Sequence, residues 1–203
     1  MRIVHLSDTH GKHHSLQNTP LPAADIIIHS GDISWVGKPE EIMDFIEWFG
    51  GLDYRYKIFI AGNHDFCLDS KNPEKIQHFL PRNCFYLYNS GIIIEGLKFW
   101  GVPCFISDEL KGNFAETAGK IPPDTDILIT HRPPYGILDR ANNISYGCMD
   151  LLQTVLKISP RYHFFGHIHD AYGVDKTNAT TFVNGALLNE AYHLTNEPFV
   201  FDL

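Results

Sequence analysis

Five short polar segments of the chain carry residue types that bind divalent metal ions. They offer carboxylate, amide and imidazole donors, and no thiolate joins them. The candidate ligands in these segments are Asp8, His10, Asp32, Asn63, His131, His167 and His169. Seven such ligands are enough to hold two cations side by side, and two adjacent divalent metals are suited to the cleavage of phosphate esters.

Spacing and local context add weight to these residue types. In Asp8–His10 and in His167–His169, alternate side chains of an extended backbone point to the same side, so each pair can face one site. Either pair alone is weak evidence, because short polar loops often contain such sequences. The segment Gly62–Asp65 is more specific, because its sequence is rarer and it follows an apolar stretch. Five segments of this kind in one chain indicate a shared site.

Apolar stretches predict the strands that would position these segments. Five of the predicted strands lead directly into them: Arg2–Leu6, Ile26–His29, Lys57–Ala61, Ile127–Thr130 and His163–Phe165. Further strands are predicted at Ile92–Glu95 and Lys98–Gly101, joined by a tight turn at Gly96-Leu97, and at Thr181–Asn184 and Phe199–Asp202. Ligands of α/β sheets collect beyond the carboxyl ends of strands, and the polar segments lie at those positions.

Three helices are predicted between the strands. In Pro39–Phe49, apolar residues recur at helical spacing and Pro39 suits the first turn. The other two helices are Pro73–Leu80, with Asn72 as N-cap, and Cys148–Ile158, which ends before Pro160. The alternation of strands and helices predicts mixed sheets covered by helices, an α/β layered sandwich. We expect residues 1–203 to form one domain.

Composition limits the partners and the compartment. The net charge of -8 argues against general affinity for duplex nucleic acid or an acidic membrane, although bound metals could still attract a small anionic substrate. No apolar run approaches the roughly 20 residues of a membrane span. The four cysteines stand apart and are expected to be reduced thiols, and the N-terminus has no signal-peptide pattern. These features predict a cytoplasmic protein.

The order of the polar segments resembles the calcineurin-like metallophosphoesterase superfamily. Longer matches resemble the brain metallophosphoesterase-domain proteins, a group similar to class III cyclic nucleotide phosphodiesterases, and their bacterial relatives. These matches are His29–Asp32, Ile60–Asp65, Thr130–Pro134, Gly166–Gly173 and Thr195–Leu203. The resemblance covers essentially the whole chain, and it implies a four-layer α/β/β/α sandwich of two mixed sheets flanked by helices.

The resemblance also implies a role for each matched residue. The first metal would be held by Asp8, His10 and His169, with Asp32 bridging to a second metal held by Asn63, His131 and His167. His64 would assist the leaving oxygen, and Asp65 would orient His64 from behind. Animal brain members carry glycine at the position of His167, so its presence here implies a complete dinuclear site. Arg132 follows His131 and either reaches a substrate phosphate or is an exposed loop residue.

The expected reaction is hydrolysis of a small phosphodiester, with cyclic nucleotides as the implied substrates, by attack of a hydroxide that bridges the two metals. Mn²⁺ is the expected ion, and Fe, Zn and Co also suit the donors. Two alternatives stay open. The same ligands would serve a phosphomonoesterase or protein phosphatase, and the same fold can act as a non-catalytic binding module. Retention of every ligand together with His64 favours an enzyme.

Overall fold

Two mixed β-sheets form the centre of the molecule in a computed structural model, which describes residues 1–18, 21–70, 72–107, 112 and 114–203. The strands in chain order are β1 (Arg2–Leu6), β2 (Ile26–His29), β3 (Tyr56–Phe59), β4 (Cys84–Tyr86), β5 (Ser90–Ile94), β6 (Leu97–Val102), β7 (Ile127–Thr130), β8 (Arg140–Ala141), β9 (Ile144–Ser145), β10 (Tyr162–Phe165), β11 (Gly173–Lys176), β12 (Thr181–Asn184) and β13 (Phe199–Asp202).

Each large sheet has a parallel centre. The first sheet has the order β13-β1-β2-β3-β4, in which β1 to β4 are parallel and β13 is antiparallel to β1. The second has the order β11-β12-β10-β7-β6-β5, with β6, β7, β10 and β12 parallel and an antiparallel strand at either edge. Parallel strands place their carboxyl ends at the same edge of a sheet, so the loops that follow them can converge.

The central strands β1, β2 and β3 of the first sheet are buried on both faces. In β2, Ile26, Ile27 and Ile28 are all 0% exposed. Because side chains alternate along a strand, Ile26 and Ile28 pack against the second sheet, whereas Ile27 belongs to the cluster on the opposite face. Strands covered on both faces therefore read as continuous apolar runs rather than alternating ones.

Helices cover the outer face of each sheet. The α-helices whose bounds lie in the described residues are α1 (Pro39–Gly51), α2 (Pro73–Phe79), α3 (Phe114–Gly119) and α4 (Met149–Ile158). The apolar stripe of α1, which includes Phe45 and Phe49, packs on the first sheet. Leu151 and Val155 of α4 pack in the cluster outside the second sheet. The predicted four-layer α/β/β/α sandwich is confirmed.

The differences from the predicted elements are local. The hairpin turn lies at Glu95-Gly96, one residue earlier than predicted, and both residues have positive φ (50° and 82°), as a type I′ turn requires. The third strand begins at Tyr56 and ends at Phe59, two residues before the predicted end. β4, β8, β9, β11 and α3 were not predicted, because elements of two to six residues are too short to show a periodic pattern. No helix in the described part of the chain is long and apolar enough to cross a membrane.

Candidate active site

The candidate active site lies where the carboxyl ends of both parallel centres meet. Asp8 and His10 follow β1, Asp32 follows β2, Asn63 follows β3, His131 follows β7, and His167 and His169 follow β10. Backbone hydrogen bonds join the sheets here. The Ser7 amide donates to the Gly185 carbonyl at 2.8 Å, and the Leu187 amide donates to the Ser7 carbonyl at 3.0 Å. The residues from the two sheets therefore face one another across a fixed seam.

The six ionisable residues of the predicted ligand set form two compact groups. One group contains Asp8, His10 and His169, and in it the donor atoms lie within 4.8 Å of one another. The other contains Asp32, His131 and His167, with the same spread. The two groups meet at a single atom, Oδ2 of Asp32, which lies 3.5 Å from Nε2 of His10 and 3.3 Å from Nε2 of His131.

Asn63 completes the second group. Its Oδ1 lies 3.0 Å from Nε2 of His131. All seven residues predicted from the sequence as metal ligands are thus brought to one place. They fall into two groups with Asp32 between them, and which residues would hold which ion stays a prediction.

Backbone carbonyls fix the orientation of two ligand imidazoles, those of His131 and His169. Nδ1 of His131 lies 2.9 Å from the carbonyl oxygen of Ser30, and Nδ1 of His169 lies 3.0 Å from that of Asn189. A carbonyl oxygen can only accept, so the proton is on Nδ1 of each ring. Each ring consequently directs the lone pair of Nε2 towards the carboxylates, which is the orientation that a metal ligand needs.

His64 is held in the same way. Its Nδ1 donates to the Trp35 carbonyl oxygen at 2.8 Å, and its ring lies edge-on to that of His10 with centroids 4.7 Å apart. A donor atom of His64 also lies within 4.8 Å of donor atoms of His10 and Asp32. Its own backbone amide donates to Oδ1 of Asp32 at 2.8 Å. The His64 side chain therefore faces the junction of the two groups.

The prediction that Asp65 orients the His64 ring is wrong, because the Asp65 carboxylate bonds to other groups and the ring bonds to the Trp35 carbonyl. The Asp65 carboxylate accepts from the backbone amides of Gly62, Ile33 and Ser34 at 2.8, 3.2 and 3.0 Å, and from the Ser34 hydroxyl at 2.6 Å. These donors belong to the loops after β2 and β3. Asp65 therefore fixes one loop against the other, and it acts on His64 only through the backbone.

Charge is concentrated in this site. Burial disfavours the charged form of Asp32, but His131 and His10 outweigh that effect and bring the pKa of Asp32 down to about 2. The pKa of Asp8 is lowered in the same manner by His169 and His131, against the effect of burial. Burial lowers the pKa of His131, yet Asp32 and Asp8 together raise it to about 10. The same negative field would attract a divalent cation.

The donor set fits two divalent metal ions. Nε2 of His10 is buried, faces both carboxylates at 3.5–3.9 Å, and has no hydrogen-bond partner among the described residues. A buried polar nitrogen without a partner costs free energy unless a ligand satisfies it. Two carboxylates, one amide and four imidazoles match the hard and borderline donors preferred by Mn, Fe, Co and Zn.

Four of the ligand residues have a left-handed backbone conformation. The φ angles of Asp8, His10, Asp32 and His167 are 57°, 42°, 53° and 71°. Such conformations cost about 1–3 kcal/mol for residues other than glycine and persist where the surrounding structure enforces them. Because four such residues lie in one site, we infer that this cost in folding stability directs their side chains towards the candidate metal positions.

Glycine allows the loops to approach the two carboxylates. A Cβ on Gly62 would collide with Oδ1 of Asp32, and a Cβ on Gly166 would collide with Oδ2 of Asp8. The amide of His167, directly after Gly166, donates to Asp8 at 3.0–3.2 Å. Close packing of backbone against carboxylate is therefore part of the site.

A layer of fully buried histidines lies in the strands beneath the site. Each hydrogen-bonds a hydroxyl that adjoins a ligand segment: His29 with Thr9 at 3.0 Å, His5 with Ser30 at 2.9 Å, and His163 with Thr130 at 2.9 Å. Burial lowers the pKa of all three to about 3, so they are neutral at pH 7. These three histidines therefore have a structural role.

Larger side chains form the rim of the site. Arg132 donates to the Tyr146 carbonyl through Nε at 3.2 Å and Nη2 at 3.1 Å. Trp35, 44% exposed, lies edge-on to Tyr192, and Tyr192 also contacts the rings of His10 and His169. Sequence reasoning missed Tyr192, because no metal-binding motif adjoins it. A cavity of about 310 Å³ opens beside this rim and is lined by Tyr146, His167, His169, Asp170, Glu190 and Tyr192 among others.

Comparison with known proteins accords with this geometry. A family model described as "Calcineurin-like phosphoesterase" matches residues 1–171. The fold and the site thus define a metal-dependent hydrolase of phosphoric esters. The chain belongs to the calcineurin-like phosphoesterase family.

Relatives match over the whole chain. Human metallophosphoesterase domain-containing protein 1 is 36% identical over 234 residues, covering 100% of this chain and 71% of its own length. A UPF0046 protein of Caenorhabditis elegans is 35% identical, covering 99% of this chain and 74% of its own. A solved crystal structure superposes with a TM-score of 0.69 over 98% of both chains at 13% identity, which shows a shared fold.

Proposed function

We propose that residues 1–203 form one catalytic domain that hydrolyses small phosphodiesters, with cyclic nucleotides as the substrate class, at a centre of two divalent metal ions. The observation that carries this proposal is the pair of ligand groups meeting at Oδ2 of Asp32, with His64 at their junction. When bound, two such ions supply an activated water and neutralise charge on the phosphate oxygens.

The seven ligand residues would form one binding set for each ion, with Asp32 shared by both. Asp8, His10 and His169 would bind one ion, and Asp32 would share its carboxylate with the second. The second ion would take His131, His167 and Asn63. The carbonyls that accept from Nδ1 of His131 and His169 hold the proton on that nitrogen, so Nε2 is the atom that each ring would offer to a metal.

His64 is proposed to protonate the leaving oxygen. Because its Nδ1 donates to the carbonyl of Trp35, its Nε2 is the atom available to the substrate. A phosphoester oxygen leaves as an alkoxide of high energy unless it gains a proton or a neighbouring positive charge, and a positioned histidine supplies either. Asp65 supports this geometry by fixing the loops that carry Asp32 and His64.

The surroundings of the centre favour a small substrate. The adjacent cavity of about 310 Å³ can take a group of nucleoside size, and Trp35 and Tyr192 offer aromatic edges beside it. The acidic chain, with a net charge of -8, disfavours long nucleic acids. Arg132 is proposed to contact the phosphate by releasing the carbonyl of Tyr146. The cytoplasmic location stays a prediction.

A substrate panel tests the proposed class. The purified protein, at fixed Mn²⁺, is given 2′,3′- and 3′,5′-cyclic nucleotides, linear dinucleotides and phosphomonoesters, and kcat/KM is compared. The proposal predicts the highest value for a cyclic nucleotide. A preference for monoesters over every diester would contradict it and favour the phosphomonoesterase alternative.

Manganese and the contact from Arg132 are tested in the same assay. We expect Mn²⁺ to support more turnover than Fe, Zn or Co at equal occupancy. The variant Arg132→Ala should raise KM more than it lowers kcat, since a contact to a charged group contributes about 1.5–3 kcal/mol. Arg140→Ala, which removes an exposed arginine of the β8–β9 hairpin, is the matched control. Equal KM values in both variants would remove Arg132 from the substrate contacts.

A further inference from the structure

A second cluster of metal-binding side chains lies outside the catalytic ligands. It consists of His13 and His14, at the start of the 3-10 turn His13–Asn18, and Asp44 of α1. Nε2 of His13 and Nε2 of His14 lie 3.0 and 3.1 Å from the same oxygen, Oδ2 of Asp44, and Nε2 of His14 also lies 3.0 Å from Oδ1. Their three donor atoms lie within 4.8 Å of one another. None of these residues takes part in the mechanism proposed above.

The donor types and their spacing resemble a tetrahedral zinc site. Zinc binds imidazole nitrogen at about 2.0–2.1 Å and carboxylate oxygen at about 2.0–2.2 Å, which puts tetrahedral ligand atoms about 3.3 Å apart. The observed separations of 3.0 and 3.1 Å between the two nitrogens and Oδ2 of Asp44 therefore need to open by only a few tenths of an ångström. Two imidazoles and one carboxylate fill three positions and leave the fourth for water.

One ligand is rigid and the other two are accessible. The His13 side chain is 0% exposed, and its ring packs at 4.9 Å from that of Trp48 and edge-on to Phe45 at 5.7 Å. The side chains of His14 and Asp44 are 50% and 52% exposed. A fixed buried imidazole beside two half-exposed ligands lets an ion enter from solvent without disturbing the core.

The electrostatic setting favours a cation. Asp44 adjoins a groove that is also lined by Glu40 and Glu47 of α1. Burial, and the nearby His14, lower the pKa of His13, which keeps that imidazole in the neutral form that binds metals. Neighbouring carboxylates raise the local concentration of divalent ions.

We propose that His13, His14 and Asp44 form a third metal site, specific for a borderline divalent ion of which Zn²⁺ fits best. An ion there would tie the turn that follows the first catalytic ligands to α1. The site would stabilise the fold without touching the reacting groups. It does not rest on the proposed phosphodiesterase activity.

Counting bound zinc tests the proposal. The full chain and the variants His14→Ala, Asp44→Asn and Glu47→Gln are equilibrated with Zn²⁺ at a free concentration fixed by a chelator buffer, and zinc per chain is measured. Glu47→Gln is the matched control, since it removes an equal charge from the same groove but none of the three ligand atoms, and so separates coordination from the general field. We expect one zinc ion fewer per chain in His14→Ala and in Asp44→Asn, and no loss in the control.

Thermal unfolding gives an independent readout. Zn²⁺ should raise the Tm of the parent and of Glu47→Gln more than that of His14→Ala or Asp44→Asn, because an ion that binds only the folded state stabilises it. Without metal the four proteins should unfold at similar temperatures, which verifies that the variants fold. Manganese-dependent turnover should be retained in all four. Equal zinc content and equal Tm responses in all four would overturn the third site.

Discussion

Histidines in the strands and histidines in the loops just beyond them differ in their hydrogen-bond partners, and their pKa values are shifted in opposite directions. In the strands, His5, His29 and His163 bond a hydroxyl, and burial lowers their pKa to about 3. In the loops just beyond, His131 and His169 bond a backbone carbonyl through Nδ1 and direct Nε2 at carboxylates. There the carboxylates outweigh burial and raise the pKa of both rings.

The difference shows that the partner of the ring, rather than the residue type, decides its role. A hydroxyl can donate to or accept from a neutral imidazole, so Nε2 of each strand histidine is paired inside the protein. A carbonyl behind the ring and a carboxylate in front leave a lone pair that only a proton or a metal can satisfy. The strand histidines hold the scaffold, and the loop histidines are available for chemistry.

The largest effect should come from removing Asp32, the carboxylate that lies between the two ligand groups. In Asp32→Ala, both ligand groups lose their common oxygen, so metal content should fall and turnover should drop to the level seen with a chelator. Metal analysis and hydrolysis of a phosphodiester measure this. Asp53→Ala, an exposed carboxylate, is the control. Full metal content with full activity in Asp32→Ala would show that Asp32 does not join the two groups.

A smaller loss is expected at His64, which faces the site without being assigned as a ligand. His64→Ala should reduce turnover by about 10²–10⁴-fold, the range for general acid–base assistance, while metal content is retained. The loss should be greatest for substrates with a poor leaving group, since these depend most on protonation. Undiminished turnover of such a substrate would rule out the acid role.

The smallest effect concerns stability and pH on the strand side. His163 has a pKa of about 3 when folded and about 6.5 when unfolded, because burial disfavours its charged form. Between pH 6.5 and 5 only the unfolded chain takes up this proton, so the free energy of unfolding should decrease as pH falls, by up to about 2 kcal/mol from this residue. Its contribution is fully present above pH 6.5.

Urea unfolding at several pH values measures this slope. The variant His163→Gln keeps a side chain that can bond Thr130 but does not titrate, so its slope between pH 6.5 and 5 should be shallower. His78→Gln, which replaces an exposed histidine of α2, serves as the comparison. If His163→Gln and the unaltered chain have the same slope, His163 is not held neutral by burial.

Much of the fold and of the site could be predicted from the sequence, because both follow from local patterns. Continuous apolar runs such as Ile26–His29 mark strands buried on both faces, and the polar residues directly after them mark the edge where loops converge. The predicted ligands were therefore found together, since the carboxyl ends of parallel strands have to meet.

The remainder depends on contacts between distant segments. Tyr192 reaches His10 and His169 from a loop near the end of the chain, and no local pattern marks it. The role of Asp65 was predicted wrongly because its carboxylate points to amides 31 and 32 positions away. The left-handed backbone of Asp8 and Asp32 is enforced by the tertiary structure and has no signal in the residues themselves.

Hydrolysis of bis-p-nitrophenyl phosphate tests most directly whether the joined ligand groups form a working metal centre. The purified chain is freed of metal, assayed, given Mn²⁺, assayed again, and then treated with excess chelator. We predict no turnover at first, activity that rises with Mn²⁺ and saturates at two ions per chain, and loss of that activity with the chelator. Absence of Mn²⁺-dependent turnover above the blank would contradict the proposed centre.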